Sequence, residues 1–200
     1  MGNYTISDVG TPWRPTDEDY NTNYPAIKRY LREIVELCRL SDAKCSTSTD
    51  VYIKNPKETR ESAHYLIPVA DQEQYSIGFI REAGPDSKNA YETTVDAIAE
   101  TATKVMTNAA NGYVNMMSWQ RFRRPFLSQK GYFGLVPDTA AVGDVVVVFE
   151  GAKFPYVLRK CEDEVEEKYT LVGEAYVHGI MYGEFAEQPK ESERKAFRMR

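Results

Sequence analysis

The run Val145-Val146-Val147-Val148-Phe149 constrains the fold more than any other stretch of this sequence. Four β-branched residues followed by an aromatic ring suit a buried, pleated strand and are poor helix formers. Gly143-Asp144 before the run and Glu150-Gly151-Ala152 after it predict turns. The run is therefore predicted to be a strand in an antiparallel sheet whose strands are connected by short turns.

Three neighbouring segments have the same strand character. Gly131–Val136 ends at Pro137, Phe154–Lys160 comes after the second turn, and Tyr169–His178 is predicted to be the last long strand, after an acidic hairpin tip at Cys161–Glu167. Short strands at this spacing, interrupted by Gly and Pro, are typical of an antiparallel barrel or sandwich. We predict a small barrel whose core spans residues 113–187.

Two amphipathic helices are predicted before the strands. The first runs from about Pro25 to Leu40, capped by Asn23. The second starts at Thr93 or Thr94 and ends at Asn111-Gly112, where the glycine is the expected C-terminal signal. The predicted fold class is therefore α+β, a small antiparallel β-barrel with two main helices packed on it.

The remaining segments give a simple domain plan. Residues 1–22 are predicted to be a polar arm, which Trp13 and Tyr20 pin to the body, and residues 188–200 a charged tail that frays or forms a short exposed helix. Residues 23–187 form a single domain, with a mixed part at 23–112. Within that mixed part, the predicted elements are a short strand Val51–Ile53, a helical turn Glu58–His64 and strand pieces Tyr65–Ala70 and Tyr75–Ile80.

Composition limits the function classes. The net charge of -5 argues against a dedicated nucleic-acid binder, because such domains are usually basic. There is no secretory signal and no apolar run of the roughly 20 residues that cross a bilayer. The three cysteines form no metal-binding or redox spacing, and an odd number suits reduced thiols in the cytoplasm.

Several blocks of the C-terminal half, in order and at compatible spacing, carry a family resemblance. The blocks are Phe126–Leu135, Pro137, Gly143–Val146, Pro155–Arg159, Tyr169–Met181 and Gly183–Glu184. They resemble the C-terminal barrel region of fungal heterokaryon incompatibility proteins. The resemblance assigns a structural role to these residues: Gly131, Tyr132, Gly134, Leu135, Pro137, Gly143, Asp144, Leu158, Arg159, Gly173, Glu174, Tyr176, Val177, His178, Gly179, Gly183 and Glu184.

The resemblance implies a setting in fungal self/non-self recognition and programmed cell death. The sequence departs from the family at Tyr182, where an acidic residue is usual, and at Ala175, where Cys is frequent. It shows no trace of the family's N-terminal incompatibility domain, to which the death-inducing activity is assigned. We therefore expect the half that is not catalytic.

Candidate catalytic residues are few. His178 lies in the block Tyr-Val-His-Gly-Ile-Met, with Glu174 four residues earlier, and a Glu–His pair could do acid/base chemistry. Residues four apart in a strand share a face but stand too far apart for a dependable hydrogen bond. A structural histidine bonded to backbone or to a carboxylate is the favoured interpretation, and no catalytic residue, metal ligand or cofactor site is assigned.

Trp119-Gln120-Arg121-Phe122-Arg123-Arg124 interleaves aromatic and basic residues. The pattern fits a stacking groove for single-stranded nucleic acid, and it fits equally a strand edge with arginines in water. Strand alternation would place Arg121 and Arg123 on one side, Phe122 and Arg124 on the other. Trp, Tyr and Arg are the residues that anchor protein interfaces. The predicted partner surface is therefore Trp119, Arg121, Phe122, Arg123, Arg124 and Tyr182.

Three function hypotheses are consistent with the sequence. The first is a non-catalytic interaction or sensor module with a protein partner. The others are a small-molecule or nucleotide-binding barrel and a nucleotide-cleaving enzyme. The sequence disfavours the enzyme, because two histidines and scattered carboxylates assemble no catalytic constellation. It leaves the partner and the oligomeric state open.

Overall fold

The computed structural model describes residues 4–15, 24–45, 59–76, 79–99, 107–162, 166–182 and 195–200. Their helices are α1 (Pro25–Cys45), α2 (Arg60–Leu66), α3 (Asp86–Ala99) and α4 (Asn108–Ser118), and a 3₁₀ turn, Ile67–Val69, comes directly after α2. Their strands are β1 (Ile6–Val9), β2 (Gln72–Ser76), β3 (Phe79–Glu82), β4 (Arg123–Ser128), β5 (Phe133–Pro137), β6 (Val145–Val147), β7 (Tyr156–Lys160), β8 (Lys168–Glu174), β9 (Tyr176–Val177) and β10 (Arg198–Met199).

Helix α1 begins at the predicted Pro25 and continues past Leu40 to Cys45. Its predicted apolar stripe is the buried face, with Ile27 and Ile34 fully inaccessible to solvent. The first helix is therefore confirmed in its start and its orientation. Its predicted cap, Asn23, lies outside the described residues.

The second predicted helix is wrong in its boundaries. The structure has two helices, α3 and α4, in its place, and residues 100–106 between them are outside the described part. The Thr107 hydroxyl begins α4 by accepting a hydrogen bond from the Ala110 amide at 3.2 Å. Gly112 lies inside α4, where a mid-helix glycine costs only about 1 kcal/mol relative to alanine and therefore does not end a helix by itself.

The middle of the chain differs from its predictions in two places. The predicted strand Tyr65–Ala70 is the end of α2 and the 3₁₀ turn, because a short apolar run cannot be assigned by periodicity alone. The predicted strand Tyr75–Ile80 spans parts of a hairpin, in which β2 pairs with β3 antiparallel. The predicted turn near His64 is the helix α2, and Val51–Ile53 lies outside the described residues.

The central layer is a four-stranded sheet with the order β1-β4-β5-β9. Both of its faces are covered. Leu127 and Leu135 pack with the helices on one face, whereas Phe126 and Val136 pack on the other face into a second cluster. Alternation along β4 and β5 thus supplies two cores, which explains why β5 has apolar residues on both of its faces.

The outer layer is a second four-stranded sheet with the order β10-β8-β7-β6. Val146 and Val157 point from this sheet into the cluster between the sheets, where they meet Ile6 and Val177 from the central sheet. The result is a helix layer, a central sheet and an outer sheet. The predicted α+β class is confirmed at this level.

The described strands do not close into the predicted barrel. On one side the described parts of the two sheets are connected by a bridge between Thr5 and Val145. Beside it, the Ile6 N–H donates to the Asp144 carbonyl at 2.8 Å, and the Gly143 N–H donates to the Ile6 carbonyl at 3.0 Å. Strand β6 is only three residues long, so no continuous ladder with β1 can form there. The predicted strand at Val145–Phe149 is therefore real but shorter than expected.

On the other side one chain segment passes from sheet to sheet. The predicted strand Tyr169–His178 is divided at Ala175 into β8 in the outer sheet and β9 in the central sheet. Leu158 pairs with Leu171 but Val157 pairs with Gly173, which leaves one extra residue in β8. Such a bulge bends its strand and turns the next residues in a new direction, so a single predicted strand becomes a corner.

Both terminal segments are built into the sheets. Within the predicted arm, β1 pairs with β4, and the Trp13 side chain is buried against Tyr30 of α1. Within the predicted tail, β10 adds a parallel strand to β8 in place of an exposed helix. Tyr20 lies outside the described residues.

Candidate functional site

Two large aromatic side chains stand in solvent at the turn between α4 and β4. Trp119 is the C-cap of α4, where its N–H donates to the Met116 carbonyl at 3.2 Å, and the residue is 56% exposed. Phe122 is 64% exposed. Arg121 between them is exposed as well. We call Trp119, Arg121 and Phe122 the aromatic rim.

The backbone of the rim is clamped. Phe122 has φ of 63°, the left-handed region that bulky residues rarely adopt. Its N–H donates to the Trp13 carbonyl at 3.1 Å, and its own carbonyl accepts from the Asp138 N–H at 2.9 Å. Hydrogen bonds to two distant segments therefore hold a strained residue with its ring outside. The rim is a turn, so the strand alternation predicted from Arg121 onward applies only from Arg123.

A further cation belongs to this surface. The Arg14 guanidinium lies over the Phe122 ring, 5.9 Å from its centroid, and its Nε donates to Asp138 Oδ2 at 3.0 Å. An arginine over an aromatic face is an attractive arrangement that also presents charge to solvent. Sequence reasoning missed Arg14, although its position in Pro12-Trp13-Arg14-Pro15 marks a rigid segment with an aromatic anchor.

The three arginines of the predicted partner surface do not share one exposed surface. Arg121 is exposed, but Arg124 turns inward, where its Nε donates to the Gly10 carbonyl at 2.7 Å and its Nη1 to the Ala140 carbonyl at 3.3 Å. Arg123 is half-buried on the helix side of β4. The prediction is corrected here: in a strand covered on both faces, neither side of the alternation is open to water.

Arg123 lies close to an unusual tyrosine. Tyr30 is 3% exposed, and its hydroxyl has no hydrogen-bond partner in the described part of the chain. Burial raises the pKa of Tyr30, so its hydroxyl is a donor at any physiological pH. Desolvation lowers the pKa of Arg123, whose electrostatic neighbours are Glu174 and Tyr30, yet a guanidinium stays charged.

A groove of about 120 Å³, lined in part by Tyr30, opens between the segment Thr11–Arg14 and the first turns of α1. The ring of Trp13, stacked on Tyr30 at 4.7 Å between centroids, forms part of its wall. Arg29 and Glu33 of α1 also line it. Both carboxylate oxygens of Glu33 are occupied by Thr11, whose N–H donates at 2.9 Å and whose hydroxyl donates at 3.1 Å.

His178 is fully buried and joins the strands to the helices. One ring nitrogen, Nε2, lies 2.9 Å from the Thr59 carbonyl, and the other, Nδ1, lies 3.1 Å from the Tyr176 hydroxyl. The carbonyl can only accept, so Nε2 carries the proton and Nδ1 accepts from Tyr176. Desolvation lowers the pKa of His178 to about 4. The ring is therefore neutral, and both of its nitrogens are engaged.

The other titratable residues with catalytic potential lie apart from this ring. Glu174 ends β8 in the outer sheet and is exposed, whereas His178 comes directly after β9 in the central sheet. His64 packs edge-on against Tyr65 and Tyr91, and burial lowers its pKa. Within the described ranges, no three His, Cys, Asp or Glu side chains are grouped so that they could hold a metal ion.

An ion pair that the sequence did not indicate fastens the loop before β6 to β7. Asp144 is 3% exposed, and Arg159 donates from Nε to its Oδ1 and from Nη2 to its Oδ2, both at 2.8 Å. The Asp144 Oδ2 also accepts from the Ala141 N–H at 2.8 Å. The two residues lie in separate family blocks, and only the β6–β7 pairing brings them together.

Tyr182 is held away from the segment with which it is predicted to act. Its hydroxyl donates to the carboxylate of Asp71, a buried residue in the left-handed turn before β2, while half of its side chain stays exposed. Tyr182 therefore fastens the end of the described C-terminal block to the helical half. Gly183 and Glu184 lie outside the described residues.

The remaining family residues form the frame. At Gly134 a Cβ atom would stand 2.0 Å from the Tyr176 carbonyl oxygen, so β5 and β9 could not approach each other with any larger residue. Gly143 has φ of 97° at the turn before β6. The others are buried or half-buried in strands and turns: Gly131, Tyr132, Leu135, Pro137, Leu158, Gly173, Tyr176, Val177 and Gly179.

A helix that crosses a bilayer must be both long and apolar. Among the residues that the structure describes, none of the helices combines the two properties to the extent that a membrane span requires.

Comparison with known proteins places the chain in a family. The chain is 41% identical over 78 residues to the heterokaryon incompatibility protein 6, OR allele, of Neurospora crassa, and the match covers 39% of this chain. It spans only 12% of that protein's length. No solved structure matches the chain. The family model of the Het-6 beta-barrel domain matches residues 81–199, more than half of the sequence, so the chain belongs to the Het-6 beta-barrel domain family.

Proposed function

We propose that this chain is a non-catalytic interaction module of heterokaryon incompatibility, which binds a protein partner through the aromatic rim during fungal self/non-self recognition. The family and the relative support the setting. The module would contribute recognition to a response that ends in programmed cell death. The free thiols of Cys38 and Cys161 favour a reducing, cytoplasmic setting for it.

One observation carries the proposal: Phe122 is strained and exposed at once. A left-handed backbone costs a bulky residue roughly 1–3 kcal/mol, and such strain persists only where the surrounding structure enforces it. Here that cost places an aromatic ring in solvent with no gain in core packing, and Trp119, three residues earlier in the chain, is exposed as well. Rigid aromatic anchors of this kind supply most of the binding energy in protein interfaces.

The charges of the rim favour an acidic partner. Arg121 is exposed, and the Arg14 side chain is 63% exposed although it is paired with Asp138. Guanidinium groups next to aromatic rings can bind carboxylates through paired hydrogen bonds while the rings bury apolar contact area. We expect a partner segment that combines acidic residues with an apolar side chain.

The state of His178 supports a role other than catalysis. A general base must reach a substrate proton, but this ring is inaccessible to solvent and both nitrogens already have partners within the protein. We therefore propose that the histidine holds the domain together. A nucleotide-cleaving activity of this chain would need another base.

The test is a fungal incompatibility assay combined with crosslinking from the rim. Phe122→Ala and Trp119→Ala should both abolish the reaction and remove one crosslinked partner. Phe154→Ala is the matched control, because Phe154 is 45% exposed and lies outside the rim. Thermal unfolding of each variant must show that it is folded.

Two results would contradict the proposal. Folded Phe122→Ala protein with full incompatibility activity would exclude the rim as the recognition surface. Turnover of a nucleotide by purified wild-type chain would exclude a purely non-catalytic module.

A further inference from the structure

The edge of β8 that faces away from β7 is only partly covered. Strand β10 lies beside it in parallel, but β10 pairs only with Lys168 and Tyr169, whereas β8 is seven residues long. At the far end of β8, Pro137 lies against Gly173. Between these two contacts, no strand pairs with this edge in the part of the chain that the structure describes. We call residues 195–200, which contain β10, the resident segment.

Leu171 is the residue that the uncovered edge leaves open. The Tyr169 carbonyl accepts from the Arg200 N–H at 2.9 Å, so the backbone groups of Tyr169 point toward the resident segment. Leu171 follows two residues later in the same strand, and its N–H and C=O therefore point toward the same edge. Its side chain is also in solvent, since Leu171 is 55% exposed. An edge of this kind can pair with a strand from another chain.

Alternate side chains of the resident segment recognise one ring of β8. The Phe197 ring meets Tyr169 edge-on at 5.0 Å between centroids, and it meets Phe149 at 6.5 Å. The Lys195 ammonium lies 5.4 Å from the centroid of each of the rings of Tyr169 and Phe197. Main-chain pairing combined with contacts from alternate side chains is how a sheet edge recognises an extended peptide.

The charges next to this edge are acidic. Glu166 and Glu167 stand directly before β8, where Arg198 pairs with Glu166 and Lys195 pairs with Glu167. Hydrogen bonds from Lys195 and Lys160 lower the pKa of Glu167, so its carboxylate is charged at physiological pH. The position therefore favours a cationic segment.

The resident segment is held from one side only. Arg198, Met199 and Arg200 are exposed, and Phe197 is half-buried. The side chains of the Arg198–Glu166 pair are 68% and 62% exposed, and such surface ion pairs add little stability. A longer strand that also paired with Leu171 would make more hydrogen bonds with β8 than the resident segment makes.

We propose that the edge of β8 binds an extended segment of a partner protein in parallel orientation, and that this segment displaces the resident segment. The partner segment carries a lysine or arginine, an aromatic residue two positions later, and an apolar residue that lies beside Leu171. The site is on the outer sheet and takes a basic segment, whereas the rim favours an acidic one. The inference therefore does not rest on the rim.

The experiment is a fluorescence anisotropy titration with a labelled, blocked peptide that has the sequence of residues 195–200 followed by Val-Thr. The whole wild-type chain is compared with Phe197→Ala, which weakens the resident segment and leaves β8 unchanged. We expect Phe197→Ala to bind the peptide roughly tenfold more tightly, because an aromatic contact no longer competes. The control is the same peptide with alanine in place of its phenylalanine, which should bind roughly tenfold more weakly.

The acidic residues are tested in the Phe197→Ala background, so that a change in the site does not also release the resident segment. There Glu167→Gln should weaken peptide binding several-fold. Glu162→Gln removes the same charge and should have no effect, because Glu162 is exposed and has no ion pair with a described residue. Thermal unfolding checks that each variant is folded. If Phe197→Ala is not, Arg198→Ala, which removes only an exposed ion pair, takes its place.

Four results would overturn the proposal. They are no binding of the peptide, equal binding by wild type and Phe197→Ala, equal binding of the two peptides, and equal effects of Glu167→Gln and Glu162→Gln. Light scattering of the concentrated wild-type chain examines another occupant, the resident segment of a second copy. A dimer that becomes a monomer in Phe197→Ala would assign the site to that second copy and contradict a separate partner.

Discussion

Acidification should destabilise this domain through His178. The ring is fully buried and neutral, and its pKa of about 4 in the folded chain compares with about 6.5 for an exposed histidine. Between these two values the unfolded chain binds a proton that the folded chain does not. The contribution of neutral His178 to the free energy of unfolding is therefore fully present above about pH 6.5, and it is lost as the pH falls toward 4.

The size of the pKa shift of His178 determines how much stability is lost. Each pKa unit is worth about 1.4 kcal/mol, so the limiting loss is about 3 kcal/mol, and roughly 2 kcal/mol is lost between pH 7 and pH 5. For a domain with a typical stability of about 5–15 kcal/mol this is a large fraction. The largest cause is desolvation, and the Thr59 carbonyl acts in the opposite direction.

The assay is urea unfolding at a series of pH values for wild type and His178→Gln. Glutamine does not titrate, and its amide can still donate to the Thr59 carbonyl. The difference in unfolding free energy between the two proteins should change by about 2 kcal/mol between pH 7 and pH 5. His64, whose pKa burial also lowers, is present in both proteins and cancels. Parallel curves for the two proteins would refute the reasoning.

Three further predictions concern the frame. Gly134→Ala should prevent soluble folding, because the new Cβ would stand 2.0 Å from a backbone oxygen, whereas Gly143→Ala, with open space around it, should cost only about 1–2 kcal/mol of backbone strain in chemical unfolding. Asp144→Asn should cost roughly 1–3 kcal/mol, because it weakens the paired hydrogen bonds from the partly exposed Arg159, and unchanged unfolding would show that the pair is not structural. Glu167→Gln should change the melting temperature by at most a few degrees, because its contacts with Lys195 and Lys160 are surface ion pairs. A collapse of solubility in that variant would show that the acidic tip is structural after all.

Local pattern was sufficient to predict the positions of the strands β5 to β8 and of the first helix. The valine run at β6 and the apolar stripe of α1 depend on residues that are neighbours in the chain, and both are where the pattern indicates. The predicted boundaries of the second helix were wrong because a single residue was taken as sufficient evidence for a helix end. Gly112 illustrates this, because one glycine weakens a helix without ending it.

The sequence could not show that the described strands leave the barrel unclosed, because closure depends on contacts between distant segments. The sequence Tyr169–His178 looks like one strand, and only its pairing with β7 on one side and β5 on the other shows that it bends between two sheets. The bridge from Thr5 to Val145 joins residues 140 positions apart. The periodicity of residues that are neighbours in the chain contains no information about such a long-range contact.

The candidate site was predicted in part. Trp119, Arg121 and Phe122 were chosen for their residue types, and the structure places their side chains in solvent. The same reasoning assigned Arg123 and Arg124 to that surface, but a strand with two covered faces turned both inward. Nothing in the sequence indicated the left-handed backbone of Phe122. Glycine and asparagine are the residues that predict this conformation, and Phe122 is neither.

The rim and the groove depend on a segment outside the matched family domain. That domain begins at residue 81, yet Ile6 of β1 is buried between the sheets, and Trp13 binds the backbone of Phe122 on one side and stacks on Tyr30 on the other. The N-terminal residues thus complete the sheet and also shape the rim and the groove. A different segment at this place would have to supply another strand beside β4, and it would present a different surface next to Phe122. The proposed recognition surface thus depends on Trp13 and Arg14 as well as on residues of the matched domain.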